Sequence, residues 1–112
     1  LAMATGDGQA AVAHAERAVE LARALGSARH AVKSDVVLAA ALSSDGRLDR
    51  SRAVADAALK TTDQLGLIPL SWALACLLEG IGSGNLSADQ VVEIRDDCAG
   101  AVRRRGGVLL DR

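Results

Sequence analysis

The stretch ARHAVKSDVVLAAALSSDGRLDRSRAVADAALKTTDQLG, Ala28 to Gly66, decides the fold. It reads as one complete antiparallel helix pair. Val32, Val36, Leu38, Ala39 and Leu42 recur at helical spacings and predict a buried stripe on a helix from Ala28 to Ser44. The alanines around them favour helix because alanine has no side-chain entropy to lose. Asp45-Gly46 closes that helix, since glycine adopts the left-handed conformation without a Cβ clash. Asp49 is the expected N-cap of a second helix, Asp49 to Leu65, which Gly66 ends. Its expected buried face is Ala53, Val54, Ala57, Ala58 and Leu65. A connection this short makes the two helices lie antiparallel.

Working outward, the pattern recurs. Gly6 to Gly46 is 40 residues, as is Leu25-Gly26 to Leu65-Gly66, and Gly46 to Gly84 is 38. Ala11, Ala15, Ala18, Val19 and Leu25 precede Gly26 at the offsets that Ser51, Ala55, Ala58, Leu59 and Leu65 hold before Gly66. Such a period is that of a helix-pair repeat. It predicts a helix from Gln9 to Leu25, with a turn at Gly6 preceded by the last turn of another helix at Leu1 to Thr5. Downstream, Pro69 suits a helix first turn, and the run to Ile81 is apolar on all sides, which marks a buried helix. Gly80, Gly82 and Gly84 make a turn. Ser87 and Gln90 have capping-box spacing, opening a helix from Ala88 to Arg104 with Val91, Val92, Ile94, Cys98 and Val102 as its apolar positions.

These residues resemble the tetratricopeptide-like helical repeats, most closely the degenerate ones of large bacterial regulators and signalling ATPases. Ala11, Ala15 and Ala18, then Ser51, Ala55 and Ala58, stand where that family places small residues in its second helix. Gly6, Gly46 and Gly84 stand at its inter-helix turn. The family's aromatic first-helix positions fall instead on Asp35 and Leu42, no proline follows Leu59, and Glu93 and Asp96 occupy small or apolar places in the third copy. The resemblance implies an all-α array of four to five antiparallel helices spanning 1–112 as a single domain and belonging to a longer repeat protein.

Composition narrows the function classes. Half of the residues are hydrophobic but only 1% are aromatic, so the core is built from Ala, Val and Leu. A net charge of -1 supplies no field that draws nucleic acid or an anionic membrane. No apolar run approaches the roughly 20 residues that span a bilayer. Cys76 and Cys98 are too few for a disulfide framework and are expected as reduced thiols in a cytoplasmic protein. His14 and His30 lack zinc spacing to either cysteine, and no cofactor or metal motif is present. The Gly-rich turn lacks the Lys and the preceding strand of a phosphate loop. Arg103-Arg104-Arg105 is the one basic cluster; it suits a phosphate contact, or a helix C-terminus whose dipole favours cations. Val108-Leu109-Leu110 is expected to pack on something.

The resemblance, together with the lack of a catalytic motif, implies a scaffold or regulatory module that binds a protein, a peptide or a second copy of itself, and not an enzyme. The resemblance implies a concave partner-binding face lined by the first helix of each pair. Counting back from Gly46 puts Lys33, Val36, Ala40 and Ser43 there, and counting back from Gly84 puts Ser71, Leu74, Leu78 and Ile81 there. Lys33, Val36, Ala40, Leu74 and Leu78 are the expected partner contacts; the other reading of the strip at Leu74 and Leu78 is ordinary core, closed by the chain's own last helix. Two alternatives stand beside it: a nucleic-acid-associated regulatory module using Arg103 to Arg105, and an enzyme with an acidic site at Glu93, Asp96 and Asp97.

Overall fold

Each of the first three helices ends in the same way. Gly26, Gly46 and Gly66, spaced by 20 residues, all have positive φ (74°, 81° and 69°). At each, the glycine N–H donates to the carbonyl three residues back: Arg23, Ser43 and Asp63, at 3.0–3.2 Å. The next N–H donates five residues back, to Ala22, Leu42 and Thr62. This double bond pattern satisfies carbonyls that a helix end leaves bare. The residue after each glycine then starts the next helix, its carbonyl accepting from Ala31, Ser51 and Ser71 respectively. Helix end and helix start thus share one corner, which reverses the chain within three residues.

The computed structural model describes residues 5–104. It is all-α: α1 (Thr5–Ala24), α2 (Ala28–Ser44), α3 (Leu48–Leu65), α4 (Ile68–Ile81) and α5 (Ala88–Arg104). Consecutive helices pack on one another in chain order, and α2 also touches α4. By contrast, α1 and α3, and α3 and α5, form no packed pair. The even-numbered helices therefore lie on the inside of a bend and the odd-numbered ones splay on its outside. One core joins α2 to α5 through Val32, Ala39, Ala55, Ala58, Leu59, Leu74, Ala75, Leu78 and Val91. A second joins Val12, Ala15 and Val19 of α1 to Leu38 and Leu42 of α2.

Several sequence expectations shift. Gly6 is not a turn; it lies within α1, as does Gly8, which is buried against the Asp45 side chain. Leu1 to Ala4 and the tail from Arg105, with Val108 to Leu110, lie outside the described residues. The buried face of α3 is Ser51, Ala55, Asp56, Ala58, Leu59 and Thr62, whereas Ala53, Ala57 and Leu65 are exposed. Alanine-rich helices give the hydrophobic pattern little contrast, and here hydroxyls take interior places by satisfying themselves. Ser51 Oγ donates to the Ala39 carbonyl at 2.7 Å, Ser71 Oγ to Thr62 Oγ1 at 2.7 Å, and Thr62 Oγ1 to the Leu59 carbonyl at 3.0 Å. Ala11 and Ala18 of α1, and Leu25 just past its end, are exposed, because no described helix covers that side. Asp49 is not an N-cap; Arg47 holds that place without a side-chain bond, and Asp49 pairs with Arg52. The capping box at α5 forms, with Gln90 N–H donating to Ser87 Oγ and Ser87 N–H to Gln90 Oε1.

Candidate functional site

The Gly84 count does not hold. Helix α4 stops at Ile81, and it is Gly82 that takes positive φ (88°). A two-residue offset rotates a helix by about 200°. Leu74 and Leu78 consequently face inward, 0% and 1% exposed, and offer no surface to a partner. Val91 of α5 shares their core, so the apolar strip expected to be open is interior. Counted from Gly82, the strip becomes Pro69, Trp72, Cys76 and Glu79, of which Pro69 and Glu79 are exposed and Trp72 and Cys76 half-buried. On α2, Lys33 and Ala40 are exposed, while Val36 is half-buried against the main core.

The splay of the outer helices opens two gaps instead. Between α1 and α3, over α2, the gap is lined by Glu16, Arg17, Glu20, Arg23, Asp35 and Arg50 around the apolar Ala13, Val19 and Leu38. An ion pair between Arg50 and Glu16 bridges it. Asp35 sits on its floor beside Arg23 at 3.8 Å. Burial pushes the Asp35 carboxyl up, and the Arg23 charge only partly offsets this.

The gap between α3 and α5, over α4, is different. It is a cleft with a cavity of ≈ 320 Å³, lined by Asp56, Leu59, Lys60 and Asp63 of α3, Ser71 of α4, Asn85 and Leu86 of the connecting loop, and Ile94 and Cys98 of α5. Its volume is at the small end of ligand pockets, roughly 300–1,000 Å³. Ion pairs among the described residues leave it unbridged. Cys98 and Cys76 are free, half-buried thiols. At Cys98 burial raises the thiol pKa, and the charges of Asp97 and Asp63 raise it further, so both carboxylates act on this end of the cleft.

One wall of the cleft is the α4–α5 loop, and α3 fixes it with two side chains one turn apart. Arg52 donates from Nε to the Gly82 carbonyl at 3.0 Å and from Nη2 to the Ile81 carbonyl at 2.8 Å, closing the end of α4. Asp56, 8% exposed, accepts from Ser83 Oγ at 2.6 Å and from Gly84 N–H at 2.8 Å. Ser83 Oγ in turn accepts from the Asn85 and Leu86 amides, each at 3.0 Å. The Gly-rich turn does bind an anion, and that anion is the chain's own carboxylate. Neither Arg52 nor Asp56 stands out in the sequence; the available signal was a charged pair at i, i+4 within an alanine-rich helix.

The remaining candidates are scattered. Asp96 pairs with Arg95, which also reaches Glu79 across to α4. Glu93 and Asp97 are exposed and unpaired among the described residues. Among those residues no group of His, Cys, Asp and Glu is placed to hold a metal ion. Arg103 and Arg104 are exposed at the end of α5, and Arg105 lies outside the described residues. No helix among them is long and apolar enough to cross a membrane. Comparison of the chain with protein-family models, curated proteins and solved structures gives no match.

Proposed function

We propose that this chain is a tetratricopeptide-like interaction module that binds a segment of another protein in the cleft between α3 and α5. The observation that carries this reading is the contrast between two equivalent gaps. The one between α1 and α3 sets six charged side chains around Val19 and Leu38 and is bridged by Arg50 and Glu16, whereas the one between α3 and α5 has three charged side chains beside Leu59, Leu86 and Ile94 and is unbridged. Apolar surface left in a concavity is a common mark of an interface. The concave side retains Lys33, Val36 and Ala40 as a secondary contact, but without Leu74 and Leu78 it lacks an apolar anchor. The recurring glycine corners and chain-order stacking support the helical-repeat part of the reading.

The test is methyl NMR on the chain mixed with a panel of amphipathic helical peptides whose polar faces are neutral, basic or acidic. Saturable shifts are expected at Leu59, Leu86 and Ile94. Ile94→Glu should remove them while far-UV circular dichroism stays unchanged. Shifts that are absent, or that survive Ile94→Glu, overturn the reading.

A further inference from the structure

The rim of the α3–α5 cleft is unevenly charged. Asp63 lines it on α3, and on α5 Glu93 and Asp97 directly precede the lining residues Ile94 and Cys98. Glu93 precedes Asp97 by four residues, so the two share one face of α5. All three carboxylates are exposed, and none is ion-paired among the described residues. Against them stands one unpaired cation on the lining, Lys60. Asp56 is occupied by the loop and Arg52 by Asp49 and two carbonyls, so neither offers its charge freely.

Shape adds a second constraint. The cleft lies between two helices that both pack on α4 and not on each other, which leaves a trough parallel to helices. An added helix fills such a trough by setting its side-chain ridges between theirs. The cavity accepts apolar anchors, and the rim favours positive charge beside them.

We propose that the cleft takes a basic amphipathic helix from a partner protein, with Leu- or Ile-type anchors against Leu59, Leu86 and Ile94 and Lys or Arg one turn away facing Asp63 and Asp97. This rests on the cleft being the binding site and adds the chemistry of its occupant. Opposite charges across a rim give orientation and salt dependence more than raw affinity, and like charges reject wrong partners.

The experiment is display selection on the whole chain from a library of helical peptides with fixed Leu anchors and flanking positions randomised among Lys, Arg, Glu, Gln and Ser. Enriched peptides are then measured by calorimetry and methyl NMR. The expected result is enrichment of Lys and Arg at the flanks, with shifts at Ile94 and Leu59. Binding should weaken with added salt. Asp63→Lys with Asp97→Lys should weaken the best basic peptide about tenfold and favour its Glu-for-Lys counterpart. Enrichment of acidic or uncharged flanks, with shifts still in the cleft, overturns the basic-helix assignment and leaves the cleft as a binding site. No enrichment, or shifts elsewhere, overturns both.

Discussion

Removing the Asp56 carboxylate tests whether one side chain fixes the wall of the cleft. In Asp56→Ala, Ser83 Oγ and Gly84 N–H lose an ionised acceptor held at 2.6 and 2.8 Å. Hydrogen bonds to charged groups contribute about 1.5–3 kcal/mol each when the freed donor stays buried. Here Gly84 is exposed and Ser83 half-buried, so water replaces part of what is lost. The two bonds together should therefore cost about 2–3 kcal/mol, not twice the single-bond figure. In a domain of this size that lowers the melting temperature by roughly 8–20 °C. Urea unfolding followed by circular dichroism gives the stability change. Amide exchange at Gly84, Asn85 and Leu86 gives the local effect, because Ser83 Oγ, freed from Asp56, no longer orients the latter two. Asp56→Asn keeps one acceptor oxygen and should fall between the variant and the parent. A loss below about 0.5 kcal/mol, the range of an ordinary surface substitution, would refute the reasoning, as would unchanged exchange at Gly84.

Four further outcomes are expected. Gly46→Val should destabilise by about 1 kcal/mol or more in a thermal melt: φ is 81°, a Cβ would meet nothing within 4 Å, and the cost is backbone strain alone. Ala58→Leu should cost on the order of 1–3 kcal/mol by overpacking, since Ala58 is 2% exposed within the main core; an unchanged urea midpoint would show that the core gives way there. Leu78→Asp should abolish the helical signal, because it sets an unpaired carboxylate at a position 1% exposed. Asp35 has a folded pKa above its unfolded value, so the folded state holds the proton more tightly and stability falls as pH rises from the ordinary carboxylate value through the folded one. Asp35→Asn should accordingly unfold at higher urea than the parent at neutral pH, the difference shrinking as the pH is lowered; a constant difference would mean the gain is not electrostatic.

The architecture links these tests to function. The corners at Gly26, Gly46 and Gly66 set successive helices antiparallel, and the contact of α2 with α4 bends the array. Bending opens the outer gaps, and the residues at those gaps decide their fate. Arg50 and Glu16 bridge the first, while the Arg52 and Asp56 contacts hold a loop that walls the second.

The sequence by itself determined the helices and their ends. The helices Ala28–Ser44 and Ala88–Arg104 were legible, and so were the glycine corners at Gly46 and Gly66. These features are local: a left-handed residue, a capping pair or a proline acts within a few positions of itself. Gly6 is illegible for the complementary reason, since a glycine inside a helix and one that ends it look alike until neighbours choose. What only the tertiary structure decided was rotational phase. With Ala, Ser and Thr on every side of α3, apolar contrast could not single out Ser51, Ala55 and Thr62 as interior. The two residues between Gly84 and Gly82 correspond to about 200° of rotation of α4, the difference between Leu74 and Leu78 as an open strip and as the core they form. The open cleft was equally illegible, because it depends on which helices touch and which do not. Each helix forms from contacts a turn apart, whereas the gap between α3 and α5 exists only once α4 has packed against both.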